Sequence, residues 1–435
     1  MKKSVWPSAV NGAIQAPPSK SAAQRAIAIA SLCEGKSVLQ NTGSSDDVLA
    51  ASRVCRSLGA DILTGDELTA AQKRHFKMPE RPTPGGNTNR LYIRGGIKQP
   101  TEMLNCGESG LCLRMFSGIA AALEFPVKLT GANSLLNRPI SVIEKGLTAL
   151  GVACLSEDDR LPLTIKGPIM AREASLDASG TSQLLSGILI AAPLLKYDLV
   201  LSVEGLNSKP YIDLTLDIMH RFGIHAEHSD YRQFIIRAGQ RYKPVSYQVE
   251  GDWSGAAFML VAGAVAGKVA VQNLNGESFQ ADKRIVDVLS QAGAAPTHHA
   301  VGTFEVGKQP LRPFVFDATD CPDLFPPLVA LAANCKGESR ITGTKRLHSK
   351  ESDRAATLMD VFTKLGVDIR VDDNTMYISG GQVKAADVHS HSDHRIAMAA
   401  AIAALNADGP VIIAGADAVN KSYPGFFDDL ERLMC

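Results

Sequence analysis

The stretch PPSKSAAQRAIAIASLCEGKSVLQN, residues 17–41, runs from a polar start through an apolar segment into a short strand-like segment. Ala, Ile and Leu dominate every side of a helical wheel over residues 26–32, which predicts a helix buried nearly all round. Gly35 then interrupts the pattern, and the Val and Leu that follow it predict a strand. The stretch therefore predicts a unit in which an internal helix leads directly into a strand.

This helix–strand pattern recurs six times, about every 70 residues, which indicates a repeated architecture. The copies are opened by Ser21, Ser109, Ser182, Ser254, Asp323 and Asp393. Amphipathic helices alternate with them, and most of these end on a glycine: Gly59, Gly151, Gly223, Gly293 and Gly366. The longest interval holds a Pro-, Gly- and Asn-rich insertion at residues 80–89. The sequence therefore predicts an α/β protein of repeated units with twelve helices.

The length of 435 residues exceeds what one hydrophobic core normally serves, so two domains are expected. The polar stretch GQRYKPVSYQ, residues 239–248, is the best boundary between two sets of three units. The first strand-like stretch, residues 1–15, precedes the first repeated helix, so the repeat pattern alone allows it to join either half.

Composition excludes several classes of protein. The formal net charge is zero and charged residues make up 21%, so attraction of the whole molecule to nucleic acid or to an anionic membrane is unsupported. No apolar run predicts a transmembrane helix, and the start lacks the apolar core of a signal peptide. The eight cysteines are scattered singly, which suits reduced thiols. Neither a P-loop nor a dinucleotide-binding glycine motif is present.

Basic residues lie near the predicted starts of several helices, where the helix dipole disfavours positive charge. They include Lys20, Arg25, Arg114, Arg138, Lys209, Lys283, Lys350, Arg354, Arg395 and Lys421. One such lysine is ordinarily a surface charge, and Ser, Thr or Asp there is ordinarily a cap. The repetition favours a strongly anionic ligand bound by several helix starts together. The segment HSHSDH, residues 389–394, is weak as a metal motif, and we favour His394 as part of the anion site.

A series of motifs resembles the EPSP synthase (3-phosphoshikimate 1-carboxyvinyltransferase) family. In chain order they are PSKSAAQR, GESGLCLR, NRPI, TSQLLS, SKPYID, CPDL, SKESDR, SDHRIAM and NKSYPGFF. The resemblance implies two similar domains, each of three β/α units, with the active site in the interdomain cleft. It also implies that the chain crosses between domains twice, so that residues 1–17 and 243–435 form one domain and residues 18–242 the other.

The resemblance implies an enzyme that transfers the enolpyruvyl group of phosphoenolpyruvate to the 5-hydroxyl of shikimate 3-phosphate. This addition–elimination is a step of the shikimate pathway towards chorismate and the aromatic amino acids. No cofactor or metal is implied, and the two substrates are the only partners. A cytoplasmic monomer that glyphosate inhibits at the phosphoenolpyruvate site is expected.

The resemblance also implies roles for individual residues. The implied catalytic residues are Lys20, Asp323 and Glu351. The implied phosphoenolpyruvate-binding residues are Lys20, Gly110, Arg138, Gln183, Arg354, Arg395 and Lys421. The implied shikimate 3-phosphate-binding residues are Ser21, Arg25, Thr181, Ser182, Gln183, Ser208, Asp323 and Lys350. Which of Asp323 and Glu351 carries which proton stays open.

Some positions depart from the commonest family pattern. Glu108 and Leu111 stand where Asn and Thr are usual in G-N-x-G-T, Thr181 replaces a serine, and His348 replaces an arginine. Because the implied catalytic groups are intact, we expect activity to survive. We also expect Leu111 to alter how closely Gly110 approaches a ligand, and thereby the sensitivity to glyphosate.

Two other functions remain open at this point. One is UDP-N-acetylglucosamine 1-carboxyvinyltransferase, which has the same fold and donor, although the SKPY and KESDR segments favour shikimate phosphate. The other is a catalytically silent anion-binding module, suggested by the altered GESGL segment. Asp323, Glu351 and Lys20 argue against that module, because carboxylates facing anions add little to a pure binder.

Overall fold

The computed structural model describes residues 1–65, 67, 90–300, 302–348 and 350–435. The predicted insertion at residues 80–89 lies outside the described residues. The chain folds as an α/β protein, which confirms the predicted class. The described residues contain the α-helices Lys20–Leu32 (α1), Asp46–Ser57 (α2), Gly110–Ala121 (α3), Ser141–Ala149 (α4), Ser182–Ala191 (α5), Lys209–Arg221 (α6), Trp253–Ala266 (α7), Ile285–Gln291 (α8), Phe325–Ala332 (α9), Arg354–Lys364 (α10), His394–Ala404 (α11) and Phe426–Leu433 (α12).

The strands are short, and most lie between consecutive helices. They are Lys2–Val5 (β1), Val10–Gln15 (β2), Lys36–Gln40 (β3), Asp61–Thr64 (β4), Arg90–Arg94 (β5), Leu104–Asn105 (β6), Pro126–Thr130 (β7), Ala153–Glu157 (β8), Arg160–Lys166 (β9), Glu173–Asp177 (β10), Leu199–Glu204 (β11), Ala226–Ser229 (β12), Gln233–Ile236 (β13), Ser246–Gln248 (β14), Gly267–Gln272 (β15), Thr297–His299 (β16), Thr303–Gly307 (β17), Val315–Asp317 (β18), Gly337–Thr342 (β19), Asp368–Asp372 (β20), Thr375–Gly380 (β21), Ala386–His389 (β22) and Val411–Ala414 (β23).

The chain divides into two compact units. Residues Pro18–Glu250 form one, called unit A here, and residues Met1–Pro17 with Gly251–Cys435 form the other, unit B. Unit A contains the sheets β14-β3-β5-β4, β6-β7-β9-β8 and β10-β11-β13-β12. In each sheet the first pair is parallel and the other pairs are antiparallel, so each repeated unit ends in a two-stranded hairpin.

Unit B repeats this pattern with one variation. Its four-stranded sheets are β2-β15-β17-β16 and β18-β19-β21-β20, and its third sheet is β1-β23-β22. In the third sheet the N-terminal strand β1 pairs antiparallel with β23, in the position that a hairpin strand takes in the other sheets. The last copy of the repeat is therefore completed by the first residues of the chain.

Two strands belong to one unit although the helix that follows each of them in sequence belongs to the other unit. Strand β2 leads into α1 of unit A but pairs with β15 of unit B. Strand β14 leads into α7 of unit B but pairs with β3 of unit A. The second division of the chain therefore falls after Glu250, eight residues later than the sequence suggested, because a three-residue strand beside Pro244 carries almost no periodic signal.

The apolar helices are buried as the sequence predicts. Every residue of α7 is buried, and Asp252 caps it by accepting hydrogen bonds from the backbone N–H groups of Ser254 and Gly255 at 2.8 and 3.2 Å. Ser109 and Asp393 also cap their helices as predicted. Ser182 is the first residue of α5, and Ser21 and Ser254 lie in the first turns of α1 and α7; the caps of these helices are Thr181, Ser19 and Asp252.

Helices α3 and α5 of unit A approach each other at Gly118 and Gly187. A Cβ atom on Gly118 would lie 2.4 Å from the carbonyl carbon of Gly187, so neither position has space for a side chain. This contact between backbones sets the spacing of the two helices whose first residues include Gly110 and Gln183.

Candidate active site

Lys20 is the first residue of α1 and lies beside a carboxylate. Its Nζ atom is 3.0 Å from Oδ2 of Asp47, which belongs to the first turn of α2. Ser19 caps α1 directly before it. The ion pair gives a charged lysine a partner at a helix start, where the dipole opposes it, and keeps the ammonium group next to the helix terminus.

Arg25 is completely buried inside unit A. Its Nε atom donates to Thr215 at 2.8 Å, and its Nη1 atom donates to the carbonyl of Ser21 at 2.9 Å. Longer bonds of 3.4 Å reach the hydroxyl of Ser186 and the carbonyl of Tyr211. Burial lowers the pKa of Arg25 to about 10. The predicted shikimate-binding arginine thus links α1 to α5 and α6 through hydrogen bonds, one of which goes to the backbone carbonyl of Ser21.

A group of polar side chains, called the Gly110 cluster here, surrounds the first residue of α3. Arg114 donates to Oε1 of Gln183 at 2.9 Å. A Cβ atom on Gly110 would come within 2.8 Å of Nη1 of Arg138 and 2.9 Å of Nη1 of Arg114. Because Gly110 has no side chain, two guanidinium groups can lie directly against the backbone at the start of α3. Like charges this close favour an anion between or beside them.

Arg138 retains donors for such an anion. It is buried, and its Nε and Nη2 atoms have no hydrogen-bond partner among the described residues. An unsatisfied buried guanidinium is costly unless a ligand pairs with it. Arg114 is not among the phosphoenolpyruvate-binding residues that the resemblance implies, although the sequence places it among the basic residues near a helix start, one turn after Gly110.

Arg138 and Lys421 do not open α-helices, which corrects the sequence prediction for both. Arg138 directly follows the 3-10 helix Asn133–Asn137, and Lys421 is the last residue of the 3-10 helix Ala416–Lys421. A positive charge at the carboxyl end of a helical turn agrees with the dipole. Lys421 donates to the carbonyl of Ser392 at 2.7 Å, which holds it at the start of α11.

Thr181, Ser182 and Ser208 lie at two helix starts of unit A. Thr181 caps α5 by accepting from the backbone N–H of Gln183 at 3.1 Å, and Ser182 is buried in its first turn. Ser208 has a left-handed backbone (φ 58°, ψ 43°) immediately before α6. These hydroxyl-bearing positions stand beside the helix N–H groups that suit phosphate oxygens.

Arg354 organises the cluster in unit B. Its side chain has no solvent exposure and contacts three carboxylates: Asp323 at 2.9 Å, Glu351 at 2.5 Å and Asp393 at 2.9 Å. Burial alone would lower the pKa of Arg354, but these carboxylates raise it above the ordinary value. Arg354 therefore stays charged, and its fork orients both implied catalytic carboxylates.

Asp323 lies among three cations. Arg354 and Arg395 contact its two oxygens at 2.9 and 3.2 Å, and Lys350 lies 3.4 Å away. Burial favours a raised pKa for Asp323, but Arg395, Lys350 and Arg354 lower that pKa far below the usual range. Burial also lowers the pKa of Lys350, against the opposing effect of Asp323. The cluster therefore pairs an ionised carboxylate with a lysine that loses its proton more readily than usual.

Arg395 and His394 begin α11. Arg395 donates to Oγ of Ser254 at 2.7 Å and lies 2.6 Å from Nε2 of His394. Its Nε atom is buried and has no hydrogen-bond partner within the described ranges.

His348, which replaces the arginine of the commonest family pattern, lies 2.9 Å from Asp353, the cap of α10. In the part of the chain that the structure describes, no group of three or more metal-ligating side chains is placed to hold a metal ion.

The chain resembles proteins of one family along its whole length. The family model described as EPSP synthase (3-phosphoshikimate 1-carboxyvinyltransferase) matches residues 6–430. A 3-phosphoshikimate 1-carboxyvinyltransferase of Clostridium perfringens is 36% identical over 440 residues, covering 100% of this chain and 98% of that protein. Its counterpart in Thermococcus kodakarensis is 38% identical, with 98% of each chain covered.

Solved structures agree with this result. The EPSP synthase of Acinetobacter baumannii superposes with a TM-score of 0.79 at 25% identity, covering 100% of this chain and 98% of that one. The enolpyruvyl transferase NikO of Streptomyces tendae shares the fold at 15% identity, with a TM-score of 0.74 and coverage of 99% and 96%. No helix of the described residues is long and apolar enough to cross a membrane. The predicted resemblance is thus confirmed, and the chain belongs to the EPSP synthase family of enzymes.

Proposed function

We propose that this chain adds the 5-hydroxyl of shikimate 3-phosphate to C2 of phosphoenolpyruvate and then eliminates phosphate, forming 5-enolpyruvylshikimate 3-phosphate. Family membership supports the reaction class. The observation that carries the proposal is the Asp323 carboxylate, which lies among Lys350, Arg354 and Arg395 and shares Arg354 with Glu351. A pure anion-binding module gains nothing from carboxylates at this position, whereas a reaction that moves protons requires them.

In this proposal the chain binds phosphoenolpyruvate through its carboxylate and its phosphate. The residues assigned to this donor are Lys20, Gly110, Arg138, Gln183, Arg354, Arg395 and Lys421. Buried N–H donors of Arg138 and Arg395 that have no partner among the described residues support the assignment, because such donors are suited to oxygen anions. We add Arg114, which contacts Gln183 and the Gly110 backbone region.

Shikimate 3-phosphate is assigned to hydroxyl, amide and charged groups. They are Ser21, Arg25, Thr181, Ser182, Gln183, Ser208, Asp323 and Lys350. Arg25 acts through Ser21 in this assignment, because its own guanidinium is engaged by protein atoms of unit A. Ser208, which has a left-handed backbone and directly precedes α6, contributes its hydroxyl in this assignment.

The reaction balances with groups that this chain carries. Addition forms a C–O bond at C2, removes the hydroxyl proton and delivers a proton to C3. Elimination breaks the C2–O bond to phosphate and returns the C3 proton to the group that supplied it, while the proton removed from the hydroxyl leaves with the released phosphate. We assign the hydroxyl of the acceptor to Asp323 and the proton at C3 to Glu351 or Lys20, with Arg354 holding both carboxylates in place.

The test measures phosphate release from phosphoenolpyruvate in buffer with a metal chelator. Shikimate 3-phosphate and UDP-N-acetylglucosamine are supplied separately as acceptors. Turnover with shikimate 3-phosphate alone is expected. Turnover only with the nucleotide sugar would assign the chain to the other enolpyruvyl transfer, and calorimetric binding of shikimate 3-phosphate without turnover would indicate a silent module.

We also propose that the protein acts in the cytoplasm as a monomer. All eight cysteines are free thiols, which suits a reducing compartment. Light scattering coupled to size-exclusion chromatography should give the mass of one chain, 46.3 kDa. A mass of twice that value would contradict the monomer.

A further inference from the structure

Glu108, one of the departures from the family pattern, makes specific contacts with a neighbouring loop. Its Oε2 atom accepts a hydrogen bond from the Ser134 hydroxyl at 2.8 Å and a longer one from the Ser134 N–H at 3.4 Å. Its Oε1 atom accepts from the side-chain amide of Asn133 at 3.2 Å. One carboxylate thus takes three hydrogen bonds from two consecutive residues, and its negative charge strengthens each of them.

Those two residues open the segment that ends at Arg138. Asn133 has a positive φ of 45° and begins the 3-10 helix Asn133–Asn137, which Arg138 directly follows. The backbone N–H of Ala132 also donates to the carbonyl of Gly107 at 2.8 Å. Leu135 is buried and anchors the middle of the segment. The Gly107–Glu108 pair therefore holds the segment where it begins.

The other end of the segment lies against the same short loop. Nη1 of Arg138 lies 2.8 Å from the position that a Cβ atom of Gly110 would take, only two residues after Glu108. Arg138 is buried, and its Nε and Nη2 atoms lack hydrogen-bond partners among the described residues. Because two of the three guanidinium nitrogens have no partner in the described ranges, the direction of this group depends on how firmly the segment before it is held.

We propose that Glu108 is a positioning residue for phosphoenolpyruvate binding, acting by fixing the Asn133–Asn137 segment so that Arg138 faces the anion. This inference rests on the proposed function, which assigns Arg138 to phosphoenolpyruvate. The Asn that is usual at this position is one methylene shorter and offers a single neutral acceptor, so it cannot take the same three bonds. A carboxylate is tolerated in a cation-rich site because its oxygens are occupied by Ser134 and Asn133.

The test compares Glu108→Ala and Glu108→Gln with the wild-type enzyme, and Glu102→Gln, an exposed glutamate of the same unit, is the control. We expect Glu108→Ala to raise the KM for phosphoenolpyruvate about tenfold, while the KM for shikimate 3-phosphate stays within about twofold. Glu108→Gln keeps one acceptor oxygen, so its KM for phosphoenolpyruvate should lie between the values of the wild type and of Glu108→Ala. Equal changes in both KM values, or no change in either, would overturn the inference.

A double-mutant cycle separates positioning from a general loss of structure. Ser134→Ala should reproduce part of the effect of Glu108→Ala, and the double variant should resemble Glu108→Ala alone, because the Ser134 hydroxyl bond is one of the three hydrogen bonds that Glu108→Ala already removes. Additive effects would overturn the inference.

If the wild-type enzyme shows no turnover, the proposed function fails. Calorimetric binding of phosphoenolpyruvate to the same variants then tests the role of Glu108. A wild type that does not bind phosphoenolpyruvate would overturn both.

Discussion

At the scale of single residues, Arg354 shows how much charge the protein buries in one place. Its fully buried guanidinium contacts Asp323, Glu351 and Asp393. Removing it leaves three carboxylates near one another without their shared cation. We expect Arg354→Met to abolish turnover and to lower the free energy of unfolding by about 3–5 kcal/mol, as measured by urea denaturation.

The matched control for this change is Lys364→Met. Lys364 lies on the same helix, α10, and pairs with Asp360 at 2.9 Å in an exposed i,i+4 pair. Its loss should cost less than about 0.5 kcal/mol and should leave turnover intact. Equal destabilisation by the two variants would mean that the Asp323–Arg354 cluster contributes no more than a surface pair.

The charge of Asp323 predicts a pH dependence of stability. Because Arg395, Lys350 and Arg354 hold the pKa of Asp323 below its ordinary value, its stabilisation is fully present above that ordinary value. The stabilisation is lost as the pH falls from there towards the folded-state pKa. Asp323→Asn should therefore flatten the dependence of unfolding free energy on pH between about pH 5 and 3, by up to roughly 1.4 kcal/mol per pH unit.

Urea denaturation at several pH values measures this slope. A slope that is unchanged in Asp323→Asn would show that the carboxylate is not held ionised by its neighbours. A lower stability at every pH with the wild-type slope would have the same meaning, since only the slope counts bound protons.

Leu111 is buried, with 7% exposure, in the hydrophobic core of unit A, directly after Gly110. Its effect on glyphosate stays a prediction. Leu111→Thr places a hydroxyl in this apolar contact, and we expect it to change the inhibition constant for glyphosate, because the first turn of α3 must readjust around Gly110. Leu155→Thr, at an exposed position, is the control. An identical inhibition constant in Leu111→Thr would contradict the prediction.

At the scale of elements, the packing of α3 on α5 positions the Gly110 cluster. A side chain at Gly118 would meet the backbone of Gly187, so Gly118→Ala must push the helices apart. We expect a loss of about 2 kcal/mol in unfolding free energy and a higher KM for phosphoenolpyruvate, because the Arg114–Gln183 hydrogen bond joins these two helices.

Gly307→Ala is the control for this substitution. A Cβ atom there would have nothing within 4 Å. Its stability should remain within about 0.5 kcal/mol of the wild type. A Gly118→Ala variant that is as stable and as active as the Gly307→Ala variant would show that a methyl group fits between α3 and α5 at this position.

At the scale of the whole molecule, the pairing of β14 with β3 predicts which fragment of the chain can fold by itself. The described strand pairings of unit A all lie within residues 18–250, including the parallel pair of β14 with β3. We expect the fragment 18–250 to unfold cooperatively by itself. The fragment 18–242 lacks β14 and exposes an edge of β3, so it should be less stable and more prone to aggregate.

Circular dichroism with urea denaturation, together with light scattering, compares the two fragments. Equal stability would show that β14 contributes nothing to unit A. The comparison also tests the boundary at 242 that the sequence suggested against the later boundary after Glu250.

The sequence by itself determined the kinds of elements and the chemistry of the ligand. Hydrophobic period and terminal residues are local, so they predicted the helices, the repeat of about 70 residues and the α/β class. Lysines and arginines near the predicted helix starts indicated an anionic ligand. The motifs supplied the family, which the comparisons confirmed.

Only the tertiary structure decided which of these pieces meet. The pairing of β14 with β3 and of β1 with β23 joins residues about 200 and about 400 positions apart, and a periodic pattern contains no information about its partner. The same holds for Arg25 on Thr215, Arg114 on Gln183 and Glu108 on Ser134. These contacts depend on burial and on hydrogen bonds that form only after distant segments have packed, which is why residue type and spacing could not predict them.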